Sequence, residues 1–193
     1  MRLLHTADWH LGRLFHNLSL LDDQRHVLQQ LLEIIDREQV DAVLVAGDIY
    51  DRSVPPAAAV TLLDEILGEL CEKRGLPVVM ISGNHDGAER LGFGARPLRQ
   101  AGLHILTDLA PCDQPVTLTI GDDTVDVFGI PYADPEYVRS AFGVDVRDFD
   151  SAHRYLLERI EAQRQPGRPT LLMSHCFVDG GTSSDSERPL TLG

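Results

Sequence analysis

The feature that most constrains the fold is a short apolar run, residues 78–82, that leads directly into Gly83-Asn84-His85-Asp86. The run is bounded by Pro77 and Gly83, and its length and composition predict a buried strand. An amide, an imidazole and a carboxylate then follow one another without a break. Since ligands of open α/β sheets bind beyond the carboxyl ends of the strands, the pattern predicts a functional site at this strand end.

The same arrangement occurs at three other places. Residues 2–7 lead into Asp8-Trp9-His10, residues 42–46 into Gly47-Asp48, and residues 170–173 into Ser174-His175. Divalent cations bind carboxylate, amide and imidazole groups of this kind. A single such motif has an equally good alternative, a turn that hydrogen-bonds its own backbone. Four of them together indicate one polar site assembled from distant parts of the chain.

Helical patterns separate the predicted strands. Apolar spacing predicts helices over residues 19–38, 55–74, 96–101, 134–142 and 150–164. Residues 116–120 and 124–130 flank Gly121-Asp122-Asp123 and predict a β-hairpin. Alternating strands and helices together with a hairpin favour a layered α/β (α+β) architecture. Residues 179–187 predict a loop and Pro189 the start of another strand, while His5 is expected to pack in the core.

Composition narrows the function classes. The 193 residues suffice for one domain with a substantial core. Three cysteines without ligand-like spacing indicate a reduced, cytoplasmic location, and we expect neither a signal peptide nor a membrane span. A net charge of −13 argues against a surface that coats nucleic acid. It does not exclude an enzyme that acts on nucleic acid, because bound cations reverse the charge locally.

Taken in order, the four motifs resemble those of the calcineurin-like metallophosphoesterases. Within that superfamily the chain is most similar to the SbcD nuclease subunits, bacterial relatives of the double-strand-break repair nucleases. The finer similarity lies in residues 5–12 and 46–51, in Pro55-Pro56 and in the loop over 180–187. This resemblance implies a two-sheet sandwich flanked by helices.

The resemblance also implies a site for two divalent metal ions, with Mn²⁺ as the expected ion. Its ligands would come from all four motifs: Asp8, His10, Asp48, Asn84 and His175. Asp8 and His10 would bind the first ion, and Asp48 would bridge both. Asn84 and His175 would bind the second ion.

Other motif residues would assist. His85 would contact the phosphate and protonate the leaving oxygen. Asp51 and Asp86 would orient the metal ligands without binding metal themselves, although a structural turn explains Asp51 equally well. Four basic side chains near the motifs are candidate contacts to phosphate or DNA, with ordinary solvated side chains as the alternative: Arg13, His16, Arg52 and Arg90.

Function and partners also follow from the resemblance. It implies Mn²⁺-dependent hydrolysis of DNA by a nucleoid-associated enzyme of repair and recombination, with an SbcC-like SMC-family ATPase as partner. It also implies a homodimer formed through helices near 56–74 and 88–101. The late G-x-H-x-H motif of the family does not occur in the 193 residues. We therefore expect an N-terminal fragment, without the DNA-capping and partner-binding regions, that binds metal weakly and has little nuclease activity.

Two other functions stay open at this point. The superfamily motifs also fit another dinuclear metallophosphoesterase, such as a small-molecule phosphodiesterase or a protein phosphatase. A noncatalytic module for dimerisation or partner binding is the third interpretation. A longer chain that cleaves a model phosphodiester but not DNA ends would favour another phosphoesterase. Function in cells that survives His85→Ala in the full-length protein would favour the noncatalytic module.

Overall fold

The computed structural model describes residues 1–178, which form two main β-sheets with helices on their outer faces and a short two-stranded sheet. The strands are β1 (Leu3–Thr6), β2 (Leu14–Phe15), β3 (Leu18–Ser19), β4 (Ala42–Ala46), β5 (Val78–Ile81), β6 (Leu103–Leu106), β7 (Val116–Ile120), β8 (Asp123–Ile130) and β9 (Thr170–Ser174). The helices are α1 (Leu21–Glu38), α2 (Ala57–Leu67), α3 (Ala88–Leu91), α4 (Ala95–Leu98), α5 (Pro135–Phe142) and α6 (Phe149–Gln163).

The first sheet is parallel throughout and has the strand order β1-β4-β5-β6. Every residue of β4 and β5 is buried, because these two central strands are covered on both faces. This explains why their sequences are uninterrupted apolar runs. The edge strand β1 is less covered, and His5 is exposed there. The expectation that His5 packs in the core was therefore wrong.

The second sheet has the order β7-β8-β9. β7 and β8 form the predicted antiparallel hairpin, whereas β9 runs parallel to β8. Apolar side chains of both sheets form a shared core, which includes Leu44 and Val79 from the first sheet and Val127 and Met173 from the second. The predicted two-sheet sandwich of α/β class is confirmed.

Helices cover the two outer faces. Leu32 and Ile35 of α1 and Leu62 of α2 pack with the first sheet. Leu156 and Ile160 of α6 belong to a separate core with the second sheet. Each such side chain contributes about 1.5–3 kcal/mol when it is fully buried. None of the helices within residues 1–178 is long and apolar enough to cross a bilayer.

Several elements differ from the prediction. The helix expected over 55–74 is α2 followed by a π-helical turn, Gly68–Lys73. The helix expected over 96–101 is α4 followed by a 3-10 turn. The sequence patterns missed α3 and the β2–β3 hairpin, since segments of two to four residues are too short to show a period. The loop predicted over 179–187 and the strand predicted from Pro189 lie outside the described residues.

Candidate metal centre

The polar motifs meet at one edge of the sandwich. Backbone hydrogen bonds hold the loop after β1 against the loop after β4, from Asp8 N to Gly47 O (3.0 Å) and from His10 N to Asp48 O (2.9 Å). β1, β4 and β5 are parallel neighbours, so their carboxyl ends lie side by side. The motif after β9 joins the same edge from the second sheet, through the contacts of His175 described below.

The Asp48 carboxylate lies at the centre of this edge and is only 3% exposed. Its Oδ2 is 3.6 Å from His10 Nε2 and 3.9 Å from His85 Nε2. Its Oδ1 is 3.6 Å from His175 Nε2 and accepts a hydrogen bond from His85 N (2.9 Å). Imidazole nitrogens therefore approach both oxygens of one buried carboxylate.

On one side of Asp48 lie Asp8 and His10. The ligand atoms of these three residues all lie within 4.8 Å of one another, and His10 Nε2 is 3.8 Å from Asp8 Oδ1. All three have a left-handed backbone, with φ of 58° for Asp8, 43° for His10 and 49° for Asp48. Such a backbone costs on the order of 1–3 kcal/mol per residue and persists only where the surroundings hold it. Here it turns three side chains toward one point that could hold a divalent cation.

On the other side of Asp48 lie Asn84 and His175. His175 Nδ1 donates a hydrogen bond to Ala46 O (2.8 Å), which fixes the orientation of the ring and directs Nε2 toward the site. His175 Nε2 lies 3.1 Å from Asn84 Oδ1. An amide oxygen, an imidazole nitrogen and the Asp48 carboxylate are thus available to a second cation.

His85 lies beside the two groups of donors. Its Nδ1 donates a hydrogen bond to Asp51 O (2.8 Å), so that its Nε2 faces the Asp48 carboxylate. Its ring stands almost perpendicular to that of His10, with the ring centroids 4.8 Å apart. The orientation gives His85 one nitrogen directed into the site.

Asp86 connects the loops that carry the other residues. Its carboxylate accepts three backbone hydrogen bonds, from Ile49 N (3.1 Å), Tyr50 N (2.8 Å) and Gly83 N (2.9 Å). Burial raises the pKa of Asp86, and these three bonds oppose that rise. The carboxylate therefore ties the loop after β4 to the loop after β5.

Asp51 lies close to His10. Its Oδ1 is 3.8 Å from His10 Nδ1, a buried atom that has no hydrogen-bond partner within residues 1–178. The side chains of His10, Asp51 and His85 also form a group whose ligand atoms lie within 4.8 Å of one another. Asp51 is therefore placed to orient His10.

Burial lowers the pKa of His10, and the carboxylates of Asp48 and Asp8 oppose that effect. The nearby His85 and Arg13 lower the pKa of His10 further. A lower pKa favours the neutral imidazole, which is the form that binds metal ions.

Two glycines of the site were missed as functional residues by sequence reasoning. A Cβ atom at Gly47 would overlap His175 Nδ1, and one at Gly83 would overlap Asp48 Oδ1 and N. Gly47 also has a φ of +91°. The available signal was that each glycine directly precedes a predicted metal ligand in the sequence.

The four candidate contacts to DNA differ in their exposure and surroundings. Arg13 is half-buried near His10, whereas Arg52 and Arg90 are exposed. Within residues 1–178 none of these three arginines forms an ion pair. His16 lies in the turn between β2 and β3, exposed, with its ring 4.4 Å from that of Phe15. None of the four side chains is among the groups that could hold a metal ion within the described part of the chain.

Comparison with known proteins identifies the fold family. The sequence profile of the calcineurin-like phosphoesterases matches residues 1–192. The chain belongs to the calcineurin-like phosphoesterase family. The resemblance inferred from the motifs is thereby confirmed, and with it a phosphoesterase fold whose Asp and His side chains could bind metal.

A named relative makes the similarity more specific. The chain is 37% identical to the SbcD subunit of the nuclease SbcCD from Staphylococcus epidermidis over 194 aligned positions. The alignment covers all of this chain and 51% of that protein. The chain thus spans about half the length of this curated relative.

Proposed function

We propose that this chain belongs to the nuclease domain of an SbcD-like subunit, and that the subunit hydrolyses DNA phosphodiester bonds in repair, recombination and replication. It would act as a double-strand exonuclease and as a single-strand or hairpin endonuclease. The observation that carries the proposal is the Asp48 carboxylate, which has a histidine Nε2 3.6 Å from each of its oxygens. A buried carboxylate flanked in this way suits a bridge between two cations.

The donors fit two divalent cations. Carboxylate, amide and imidazole groups suit Mn²⁺, which we propose as the ion. Asp8 and His10 would hold one cation, Asn84 and His175 the other, and Asp48 both. Two bound cations supply a water of lowered pKa and neutralise the charge that develops on the phosphate.

His85 would handle the proton of the leaving group. Because its Nδ1 donates to Asp51 O, its Nε2 is the nitrogen that faces the site. A protonated Nε2 would donate to the leaving oxygen of the phosphodiester as a general acid. Asp51, behind His10, and Asp86, between the two loops, would keep the donors in place.

DNA and protein partners follow from the same proposal. Arg13, His16, Arg52 and Arg90 would contact the phosphate backbone. An SbcC-like ATPase is the proposed partner, because the relative is named as one component of SbcCD. Such a complex would work on chromosomal DNA in the cytoplasm, in association with the nucleoid.

A homodimer is proposed through the helices near α2 and α3. Val60 on α2 is 45% exposed, and Phe93 between α3 and α4 is 87% exposed. Large apolar side chains at this level of exposure on α2 and directly after α3 support an interface.

Cleavage assays of the full-length protein with Mn²⁺ test the proposed function on two substrates, linear double-stranded DNA and bis-p-nitrophenyl phosphate. We expect His85→Asn to slow both reactions by about 10²–10⁴-fold while Mn²⁺ still binds, since the variant loses only the proton donor. His26→Asn, on the exposed face of α1, is the control and should match the wild type. Cleavage of the model ester with no attack on DNA would favour a different phosphoesterase, and unchanged rates in His85→Asn would contradict the proposed chemistry.

A further inference from the structure

Three aromatic side chains from separate parts of the chain meet beside His175. Tyr132 follows β8, Phe149 begins α6, and Phe177 lies shortly after β9. The ring centroids of Tyr132 and Phe149 are 5.8 Å apart, those of Phe149 and Phe177 5.7 Å, and those of Tyr132 and Phe177 6.3 Å. Each ring therefore lies at packing distance from both others. We call these three residues the aromatic cluster.

Two contacts attach the aromatic cluster to the metal centre. The rings of Tyr132 and His175 have centroids 6.5 Å apart at an interplanar angle of 70°. Tyr132 N also donates a hydrogen bond to Ser82 O (2.9 Å), directly before the loop that carries Asn84. The cluster therefore lies next to the pair of donors formed by His175 and Asn84.

Packing of the fold does not account for the aromatic cluster. None of its rings belongs to the three groups of buried apolar side chains that form the cores of residues 1–178. Phe177 is 45% exposed, and Tyr132 and Phe149 are half-buried. A large aromatic ring left in water forgoes the free energy that its burial would contribute. A ligand that covers Phe177 would restore that contribution.

We propose that the aromatic cluster binds a nucleobase, with the exposed surface of Phe177 as the stacking platform. The proposal rests on the function proposed above and names the part of the substrate held on this side of the site. The ligand is an unpaired base close to the phosphate at the metal centre. Every base has a π face, so stacking accepts any base. A paired base is held within its duplex, so the subsite favours single-stranded or unpaired ends.

The negative net charge of the chain explains why a stacking subsite would help it to bind nucleic acid. With a net charge of −13, the protein has little general attraction for the phosphate backbone. Neutralisation of phosphates by Lys and Arg is the usual source of affinity for nucleic acid. Stacking on uncharged rings adds affinity without a basic surface.

Calorimetric titrations of the full chain in Mn²⁺ test the proposal with two ligands that differ only by the base, 2′-deoxyadenosine 5′-monophosphate and 2-deoxyribose 5-phosphate. We expect the wild type to bind the nucleotide about tenfold more tightly, within the range of stacking on one aromatic ring. Phe177→Ala should bind the two ligands equally well, whereas Phe177→Trp should keep the difference. Phe177→Leu preserves apolar bulk without a π face, so it should also equalise the two affinities. It provides the same test if the alanine variant is unstable.

Tyr137→Ala is the matched control. Tyr137 is 71% exposed on α5 and contacts no other aromatic ring within residues 1–178, so its removal should leave the difference unchanged. Equal binding of both ligands by the wild type, or a difference that persists in Phe177→Ala, overturns the base subsite and leaves the phosphoesterase function intact. If neither ligand binds in Mn²⁺, the base subsite is overturned, and the proposed function is decided separately by the cleavage assays described above.

Discussion

The two sides of the Asp48 carboxylate hold their donors by different means. Asp8 and His10 are aimed by a left-handed backbone, which Asp48 shares, and backbone hydrogen bonds between the loops hold that conformation. His175 is aimed by a side-chain hydrogen bond from its Nδ1 to Ala46 O. The donors of the first side are therefore positioned by a strained backbone, and His175 on the second side by a hydrogen bond that fixes the orientation of its ring. A change that relaxes one side should therefore leave the other largely intact.

The two sides also differ in charge. Asp8 adds a carboxylate to Asp48 on the first side, whereas the second side adds an amide from Asn84 and an imidazole from His175 and no further carboxylate. Affinity for a hard cation rises with the number of charged oxygen ligands. We therefore expect the first side to bind Mn²⁺ more tightly than the second.

The largest effect is expected for Asp48→Asn, because both sides share this carboxylate. The variant should lose detectable binding of both cations in a calorimetric Mn²⁺ titration, since neither side keeps its bridging charge. Asp64→Asn, an exposed change on α2, is the control. If one cation still bound as in the wild type, Asp48 would belong to one side only.

Asp8→Asn should affect one side alone. Mutation of a residue that only supports a metal ligand typically lowers metal affinity by ~10–100-fold. Since Asp8 is itself a proposed ligand, we expect its mutation to weaken the tighter Mn²⁺ site by more than this, while the weaker site changes little. The same titration measures both sites, with Asp64→Asn again as the reference. Equal weakening of the two sites would contradict the independence inferred from their geometry.

Gly47→Ala should damage the second side. The new Cβ would collide with the His175 ring at a backbone φ of +91°. Gly75→Ala is a matched control, because Gly75 also has a positive φ (+64°) but no atom within 4 Å of its Cβ position. We expect Gly75→Ala to lower the free energy of unfolding by about 1–2 kcal/mol, the cost of the left-handed backbone alone.

Gly47→Ala should lower the free energy of unfolding by more than Gly75→Ala does, and it should also weaken the Mn²⁺ site that uses His175. Chemical denaturation and the Mn²⁺ titration measure the two effects separately. Similar losses of stability in both variants, with normal metal binding, would show that the loop at Gly47 shifts enough to accommodate the new Cβ atom.

The smallest effect is expected for Asp51→Asn. Its carboxylate lies 3.8 Å from His10 Nδ1 and binds no cation in our proposal, so its loss should weaken the first site by only about tenfold. Folding stability should stay close to that of the wild type if Asp51 acts through His10. A loss of stability with unchanged Mn²⁺ binding would instead support the structural-turn interpretation of Asp51.

Much of the fold was predictable from local patterns. Uninterrupted apolar runs marked β4 and β5 because central parallel strands are buried on both faces, and the apolar spacing of α1 marked a helix that packs by one face. The same reasoning failed for His5, whose exposure depends on β1 being an edge strand. Strand order is a property of the assembled sheet and leaves no period in the sequence.

The candidate site, like the fold, was predictable only in part. Motifs at strand ends predicted that Asp8, Asp48, Asn84 and His175 would meet, and the structure brings them together; their roles as metal ligands stay predictions. The three hydrogen bonds accepted by Asp86 were not predictable, since they join backbone groups from two loops. Nor was the aromatic cluster, whose three rings are isolated aromatic residues in the sequence.

By itself, the sequence determined the chemical identity of the donors and their position at strand ends, because residue type and hydrophobic period are local properties. Only the tertiary structure decided which oxygen of Asp48 faces which histidine, that Gly47 and Gly83 leave no room for a side chain, and that Phe177 stands exposed beside the site. These facts depend on distances between segments far apart in the chain. Such distances are set by how the two sheets pack and not by any neighbouring residue.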